Sequence, residues 1–484
     1  MTAISDSPSA ARPSADAGVA MPRNRRKTEL LMLAFAIVVV LFAYASTGFG
    51  LNGKVPAGLL EYGFAFAALM LVAHLAVRRF APWADPLLLP LAALLNGLGI
   101  VMIYRLQQSH QIITLSSSAT AEQVLYSAIG VIAFIAVLVF IREVRVLQRY
   151  TYTLGALGLI LIAIPAMLPD SMSEVPGTGA KIQISLGGFS IQPEQFAELG
   201  LAVFFAGYLV AKRDVLSLAG RRFLGIDLPR GRDLGPVLIA WGASLLVLVF
   251  ESDIGTSALF FGLFVAVIYI ATQRTSWLLI GILLFVVGAL LAAKLFSHVG
   301  ARFTEWLHPF TLANINCNPL APHDHCVSSY QLVQGLYGMG SGGILGTGLG
   351  HGQPYITPLV QSDFIMTAFG EELGLTGLMA MLLIFGLMVQ RGLRSALAAR
   401  DPFAKLLAGG LSFALALQIF IIVGGVTRLI PLTGITTPFL SQGGSSLIAI
   451  WAMVALLMRI SDSARRPAPQ PIQDEGMTQV VRAG

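Results

Sequence analysis

Charged residues are scarce in this chain: Asp, Glu, Lys and Arg make up 12% of 484 residues, against 56% hydrophobic ones and a mean hydropathy of +0.77. That shortage excludes a soluble domain of this length, which carries about 25% charge. No internal repeat of about 20–50 residues is visible. No cleavage site follows the first apolar run, which is itself long enough to span, so the chain does not open on a signal peptide. The run Gly338–Gly343 satisfies G-x-G-x-x-G but has no G-K-[ST] ending, no strand before it and no ribose-binding acid after it. Both ATPase and dinucleotide phosphate loops are thereby excluded. The net charge of +6 implies no nucleic acid, because the basic residues sit in short loops instead of on a domain face.

What fills the chain is apolar sequence in runs long enough to cross a hydrocarbon core of about 30 Å as helix. They lie near 30–49, 58–77, 87–104, 124–141, 150–168, 195–211, 235–250, 255–272, 277–296, 373–390, 405–427 and 440–460. The expected fold is therefore an all-α polytopic membrane protein of about twelve transmembrane helices. A cytoplasmic N-terminus places all but six of the 31 Lys and Arg on the inner side, the six being Lys54, Arg105, Lys181, Lys294, Arg302 and Arg428. Residues 1–28 read as a disordered cytoplasmic tail, and 461–484 as a second cytoplasmic tail. The inner loop 212–235 offers basic residues to anionic membrane lipids.

The polar gap 297–372, between the ninth and tenth spans, is then a large extracytoplasmic loop. It holds both cysteines and five of the seven histidines. Cys317 and Cys326 favour a loop-closing disulfide outside the cell. A metal site with His323 and His325 is the alternative, on a spacing that matches no zinc pattern. The glycines of 338–352 make either a substrate groove or a flexible loop. Glu371 and Glu372 open the tenth span, where a helix N-terminus favours acids, or else they act on substrate. Asp363 stands in an apolar setting at the interface, and a partly desolvated carboxylate makes a competent general base. Ser252-Asp253-Ile-Gly-Thr256 reads as N-cap chemistry for the eighth span. Pro431–Ser446 reads as a re-entrant or broken loop.

From about Leu87 to Ile460 the chain resembles the SEDS family of bacterial cell-wall polymerases, closer to the RodA than to the FtsW type. The resemblance rests on Leu186-Gly-Gly-Phe-Ser-Ile-Gln192-Pro193, Asp253-Ile-Gly255-Thr256, Tyr330-Gln331 with Gln334, and Ser341-Gly342-Gly343. It continues through Asp363-Phe364-Ile365, Glu371-Glu372-Leu373-Gly374, Ile430-Pro431-Leu432-Thr433-Gly434 and Pro438 to Ser446. It implies a ten-helix core over 87–460, with 29–86 as two added N-terminal helices. It implies a peptidoglycan glycosyltransferase of the cytoplasmic membrane, serving cell elongation and shape. The substrate would be lipid II, the undecaprenyl-pyrophosphate-linked disaccharide-pentapeptide, and the partner a class B penicillin-binding protein. Asp363 would be the base. Gln192, Gln331, Gln334 and Glu371 would bind substrate. Arg302, Lys181 and a divalent cation, Mg²⁺ or Mn²⁺, would meet the pyrophosphate, with no organic cofactor. Pro431, Gly443, Gly444 and Ser445 would be structural motif residues beside Asp253.

The family's Pro-Ser-Glu-x-x-Lys becomes Pro193-Glu194-Gln195-Phe196-Ala197-Glu198 here, so an ion pair gives way to two acids at i, i+4. Three readings compete: a metal site at Glu194 and Glu198, a rewired pair with Lys181 or Arg302, or a weakened polymerase. The last keeps alive a scaffold that recruits the transpeptidase. A lipid II flippase is the remaining alternative. It is disfavoured because the spans hold few polar residues, Glu61 and Asn96 among them, while acids and glycines gather outside.

Overall fold

The computed structural model describes residues 25–109, 115–173, 183–186, 189–216, 219–223, 226–229, 253–311 and 327–467, with isolated positions between 235 and 243. Its helices are α1 (Arg26–Asn52), α2 (Leu59–Phe80), α3 (Leu88–Gln107), α4 (Ala119–Phe140), α5 (Thr151–Met167) and α6 (Glu194–Leu216). They continue as α7 (Ile254–Thr272), α8 (Thr275–Leu295), α9 (Ser297–Leu307), α10 (Val327–Gly342), α11 (Ile365–Ala398), α12 (Pro402–Val426) and α13 (Gly444–Arg465). Two small antiparallel hairpins, Ile184–Leu186 with Phe189–Ile191 and Ala219–Phe223 with Ile226–Pro229, are the sheets among the described residues.

Eleven of these helices are long and apolar enough to cross a membrane. This is a multi-pass membrane protein, all-α because lipid leaves a spanning backbone no other way to pair its own polar groups. The expected seventh span, 235–250, lies almost wholly outside the described residues, as do the tail before 25, Lys181, Cys317, His323, His325 and Cys326. Helix α1 begins at Arg26, inside the stretch read as a tail, because Arg26 is buried and pairs with Glu29 and the carbonyl of Ala84.

Burial orders the bundle. Helix α3 has 89% of its spanning window inside the protein, whereas α8 has 17%, so α3 is central and α8 faces lipid. Phe134 of α4 and Phe439 meet the fully buried Trp451 of α13 edge-on, with ring centroids 5.6 and 5.5 Å away. Phe439 sits at φ 63°, which costs a non-glycine residue of order 1–3 kcal/mol, and its packed ring holds it there. The segment 427–443 between α12 and α13 is a non-helical loop, exposed at Thr427, Leu429 and Gly434 and buried from Thr437 to Ser441.

The polar gap is more helical than its composition suggests. Gly338, Gly340 and Gly342 lie in α10 and are not a flexible loop, and Gly338 lines a cavity beside Glu371, in keeping with the groove reading. Gly342 lets α10 approach α11 closely, since a Cβ there would stand 2.2 Å from the carbonyl oxygen of Gly370, whereas a Cβ on Gly340 would meet nothing within 4 Å. The true loop is 343–352. It enters a break in α11 at Gly374, whose φ of 68° and ψ of −170° no other residue adopts readily. At the break Thr347 and Gly348 donate to the carbonyls of Glu371 and Glu372 (3.0 and 2.9 Å). Leu375 and Thr376 donate to those of Gly343 and Ile344 (3.0 and 3.1 Å), so the loop takes over four of the backbone bonds interrupted there.

Candidate functional site

Asp363 lies in the turn that leads into α11, buried to 8% exposure. Ser362 fixes it, its single O–H lying within reach of both Asp363 Oδ1 at 2.9 Å and the Leu359 carbonyl at 2.8 Å. Ser362 is held in turn from the 427–443 loop. Ser441 Oγ donates to the Ser362 carbonyl, Gln442 N to the Gln361 carbonyl (2.8 Å), and Gln123 Nε2 of α4 to the Ser441 carbonyl (3.0 Å). Leu359, at φ 52°, is a second strained residue in this contact. Burial raises the Asp363 carboxyl above the ordinary aspartate range, while the hydrogen bond from Ser362, backbone N–H groups and the charge of Arg302 pull it back. Arg302, on α9, places its Nη1 3.3 Å from the carbonyls of Leu432 and Thr433.

The other residues singled out in the sequence fall into three places. Gln331 is buried on α10 and donates to the Pro358 carbonyl at 2.9 Å, just upstream of Asp363. Gln334 and Glu371 line a cavity of about 360 Å³ with Tyr337, Ser341, Thr347 and His351. Gln192 follows the first hairpin, and its backbone N–H donates to Ser445 Oγ at 2.9 Å, which ties that hairpin to the start of α13 beside Gly443 and Gly444. Pro431 heads the loop that carries the Arg302 acceptors.

Asp253 caps α7: Oδ1 accepts from Gly255 N (2.8 Å) and Thr256 N (3.1 Å), and Oδ2 from Thr256 Oγ1 (2.9 Å). Thr256 Oγ1 also contacts Glu194 Oε2 at 3.1 Å, and Gln195 Nε2 lies 3.3 Å from Glu194 Oε1. Glu198 turns elsewhere. It lines a space of about 10 Å³ with Gln195, Gln418 and Ser446, and its buried Oε1 has no hydrogen-bond partner among the described residues.

This arrangement does not suit a metal at Glu194 and Glu198. The oxygens of Glu194 are already bonded, and no cluster of three or more His, Cys, Asp or Glu side chains able to hold an ion occurs among the described residues. Nor does Arg302 form an ion pair with either glutamate there; its hydrogen-bond acceptors are carbonyls.

Glu371 and Glu372 require a correction. They close the first segment of α11, from Ile365 to the break, and do not open a span. A helix C-terminus disfavours acids, so both need other partners. Glu372 receives Arg105 Nε at 2.6 Å and Gly350 N at 3.1 Å; Glu371 receives Gln353 N at 2.5 Å. Arg105 also donates to the Gly352 carbonyl at 2.6 Å. This buried pair escapes sequence reading, although an arginine in the last turn of an apolar span is a signal that a counter-charge must exist. Glu29 with His74 (2.8 Å) and Arg26, buried at the far end of the bundle, was likewise missed, while Glu61 proves exposed.

Comparison with known proteins places the family and the fold. The chain is 50% identical over 445 residues to the peptidoglycan glycosyltransferase RodA of Mycobacterium tuberculosis, covering 92% of each chain. It is 32% identical over 394 residues to the stage V sporulation protein E of Bacillus subtilis, covering 79% of this chain and 98% of that one. Its fold matches a crystal structure of a mutant of the Thermus thermophilus rod shape determining protein RodA, with TM-score 0.52 and 20% identity over 79% of this chain and 99% of that one. The family model described as cell cycle protein, for FtsW, RodA and SpoVE, matches residues 85–466, and the chain belongs to that family.

Proposed function

We propose that the chain is a peptidoglycan glycosyltransferase that polymerises lipid II into glycan strands, with Asp363 as general base. The observation that carries this reading is Asp363 itself: a buried carboxylate fixed by Ser362 within the field of Arg302, at one end of a spanning bundle. Support comes from a relative of that activity's name at 50% identity over nearly the whole chain. An undecaprenyl tail keeps its substrate in the bilayer, so the sugars must be met at such an end.

Asp363 takes the proton of the acceptor sugar hydroxyl as its oxygen attacks the donor's anomeric carbon, a contribution of roughly 10²–10⁴-fold. Its burial keeps the carboxylate basic. Arg302 carries five N–H donors, so its two carbonyl acceptors leave others for the departing pyrophosphate. A divalent cation would be held chiefly by the pyrophosphate oxygens, because Glu194 and Glu198 belong to no cluster of three ligating side chains among the described residues, and it would neutralise charge on the leaving group. The Asp363 end faces outward, because Arg78, Arg79, Arg142, Arg145, Arg391, Arg394 and Arg465 gather at the other end. A class B penicillin-binding protein is the transpeptidase partner, and the role is cell elongation and shape.

A second reading, the transpeptidase-recruiting scaffold, draws on the unsatisfied Glu198 oxygen where the family places a lysine. Polymerisation of fluorescent lipid II by the purified chain with its partner separates the two. Glycan ladders that vanish in Asp363→Ala, at equal abundance and folding, are expected. Ladders that survive the substitution remove Asp363 as base. Their absence from both proteins, while the complex still forms, favours the scaffold.

A further inference from the structure

Helices α1 and α2 lie outside the region matched by the family, yet α1 reaches the wall of the candidate site. Its end is butted against the 343–352 loop by two facing glycines. A Cβ on Gly50 would stand 2.3 Å from the Leu349 carbonyl oxygen and 3.3 Å from His351 Nε2. A Cβ on Gly350, at φ 87°, would stand 2.7 Å from the Thr47 carbonyl oxygen. Contacts below 3.0 Å to backbone cannot be relieved by a rotamer change, so the loop and the helix fix each other.

Gly350 is also the residue whose N–H reaches Glu372, and His351, Gly352 and Gln353 after it line the 360 Å³ cavity with Glu371. Nearly two turns back on α1, the Tyr44 ring packs against that of Tyr104, with centroids 4.4 Å apart and a tilt of 34°. Tyr104 precedes Arg105, which holds both Glu372 and the Gly352 carbonyl. Two lines of contact, one through glycines and one through packed rings, thus run from α1 to the same acid and the same cavity wall.

We propose that α1 positions the substrate cavity, and that Gly50 is its positioning residue: it sets the 343–352 loop and with it the wall His351–Gln353 beside Glu371. The ligand is the sugar or peptide portion of the lipid-linked substrate, in line with the amide, hydroxyl and imidazole lining. That part rests on the function proposed above.

The test compares full-length Gly50→Val with Phe49→Ala, which alters the same turn on its 63% exposed, outward side. Hydrogen–deuterium exchange over 343–353 reads the loop without any turnover, and lipid II titration reads the cavity. Gly50→Val is expected to speed exchange at Gly348 and Gly350 and to raise half-saturating lipid II by about tenfold, with maximal rate within about twofold of the parent. Phe49→Ala should leave all three unchanged. Unaltered exchange in Gly50→Val overturns the proposal. Faster exchange with an unchanged half-saturating concentration overturns the role in binding, as does an equal effect of Phe49→Ala. If Gly50→Val does not accumulate folded, Gly50→Ala, which places only one carbon against Leu349, carries the same comparison. Faster exchange in a protein whose parent makes no polymer removes the polymerase reading and leaves the positioning contact standing.

Discussion

Methionine at position 105 should cost this protein far more than the loss of one salt bridge. Arg105 and Glu372 are 3% and 0% exposed, and Arg105 supplies the only full charge among the partners found for Glu372. Arg105→Met leaves a buried carboxylate with one backbone N–H and strips a donor from the Gly352 carbonyl. Breaking such a pair from one side costs about 3–5 kcal/mol, or roughly two to three and a half powers of ten in the folding constant. Replacing both residues removes both desolvation penalties. Arg105→Met/Glu372→Met should therefore recover most of the loss and remain below the parent by about 1–2 kcal/mol, for the carbonyl and amide left behind at Gly352 and Gly350. Equilibrium unfolding of the purified full chain in mixed micelles, run as a double-mutant cycle, measures the coupling. A single variant less than about 1 kcal/mol below the parent, or a double variant as unstable as the sum of the singles, refutes the reasoning.

Asp363→Asn should abolish polymer formation and yet stabilise the fold at neutral pH. Its carboxyl is raised in the folded state, so ionisation opposes folding: the stability tied to its proton is present below the unfolded value and is lost as pH rises through the folded one. For the same reason the acid limb of the parent's rate profile should lie above the ordinary aspartate range. A thermal melt and a pH–rate series read the two effects. Gly374→Ala forces a Cβ to within 2.3 Å of Gly346 N at φ 68°, and a loss of at least about 1–2 kcal/mol with faster exchange over 343–348 is expected. Glu198→Met replaces a buried oxygen that has no hydrogen-bond partner among the described residues, and thermal stability should rise, by about 1–3 kcal/mol; a fall would mean that the carboxyl has a partner in the membrane-embedded protein.

Period and hydropathy made the spans legible. Ten runs of apolar sequence fall within about five residues of ten helices, because lipid permits a long apolar run one conformation, while the run 373–390 covers only the middle of α11, Ile365–Ala398. The capping aspartate was also legible, since Asp253 acts on residues two and three positions away. What escaped was contact at long range. Nothing local distinguishes Glu372 as the partner of an arginine 267 residues earlier, or Glu29 as the partner of His74. The glycines misled for a related reason. Gly342 looks like loop on composition, but in a bundle glycine also serves as the residue over which two helices touch, and only the neighbour decides between those uses. The contact of Ser362 with Ser441, which orients Asp363, joins two motifs whose adjacency neither one encodes.

The separation of Arg105 from Glu372 also bears on how the chain is made. Synthesis at about 5–20 residues per second puts the arginine into the membrane roughly 13–50 seconds before its carboxylate exists. During that interval α3, the most enclosed helix of the finished bundle, must rest with its guanidinium end drawn up to the headgroups. The nascent protein thus keeps its central helix in a provisional register until the broken helix arrives, and completion of the site is among the last events of its assembly.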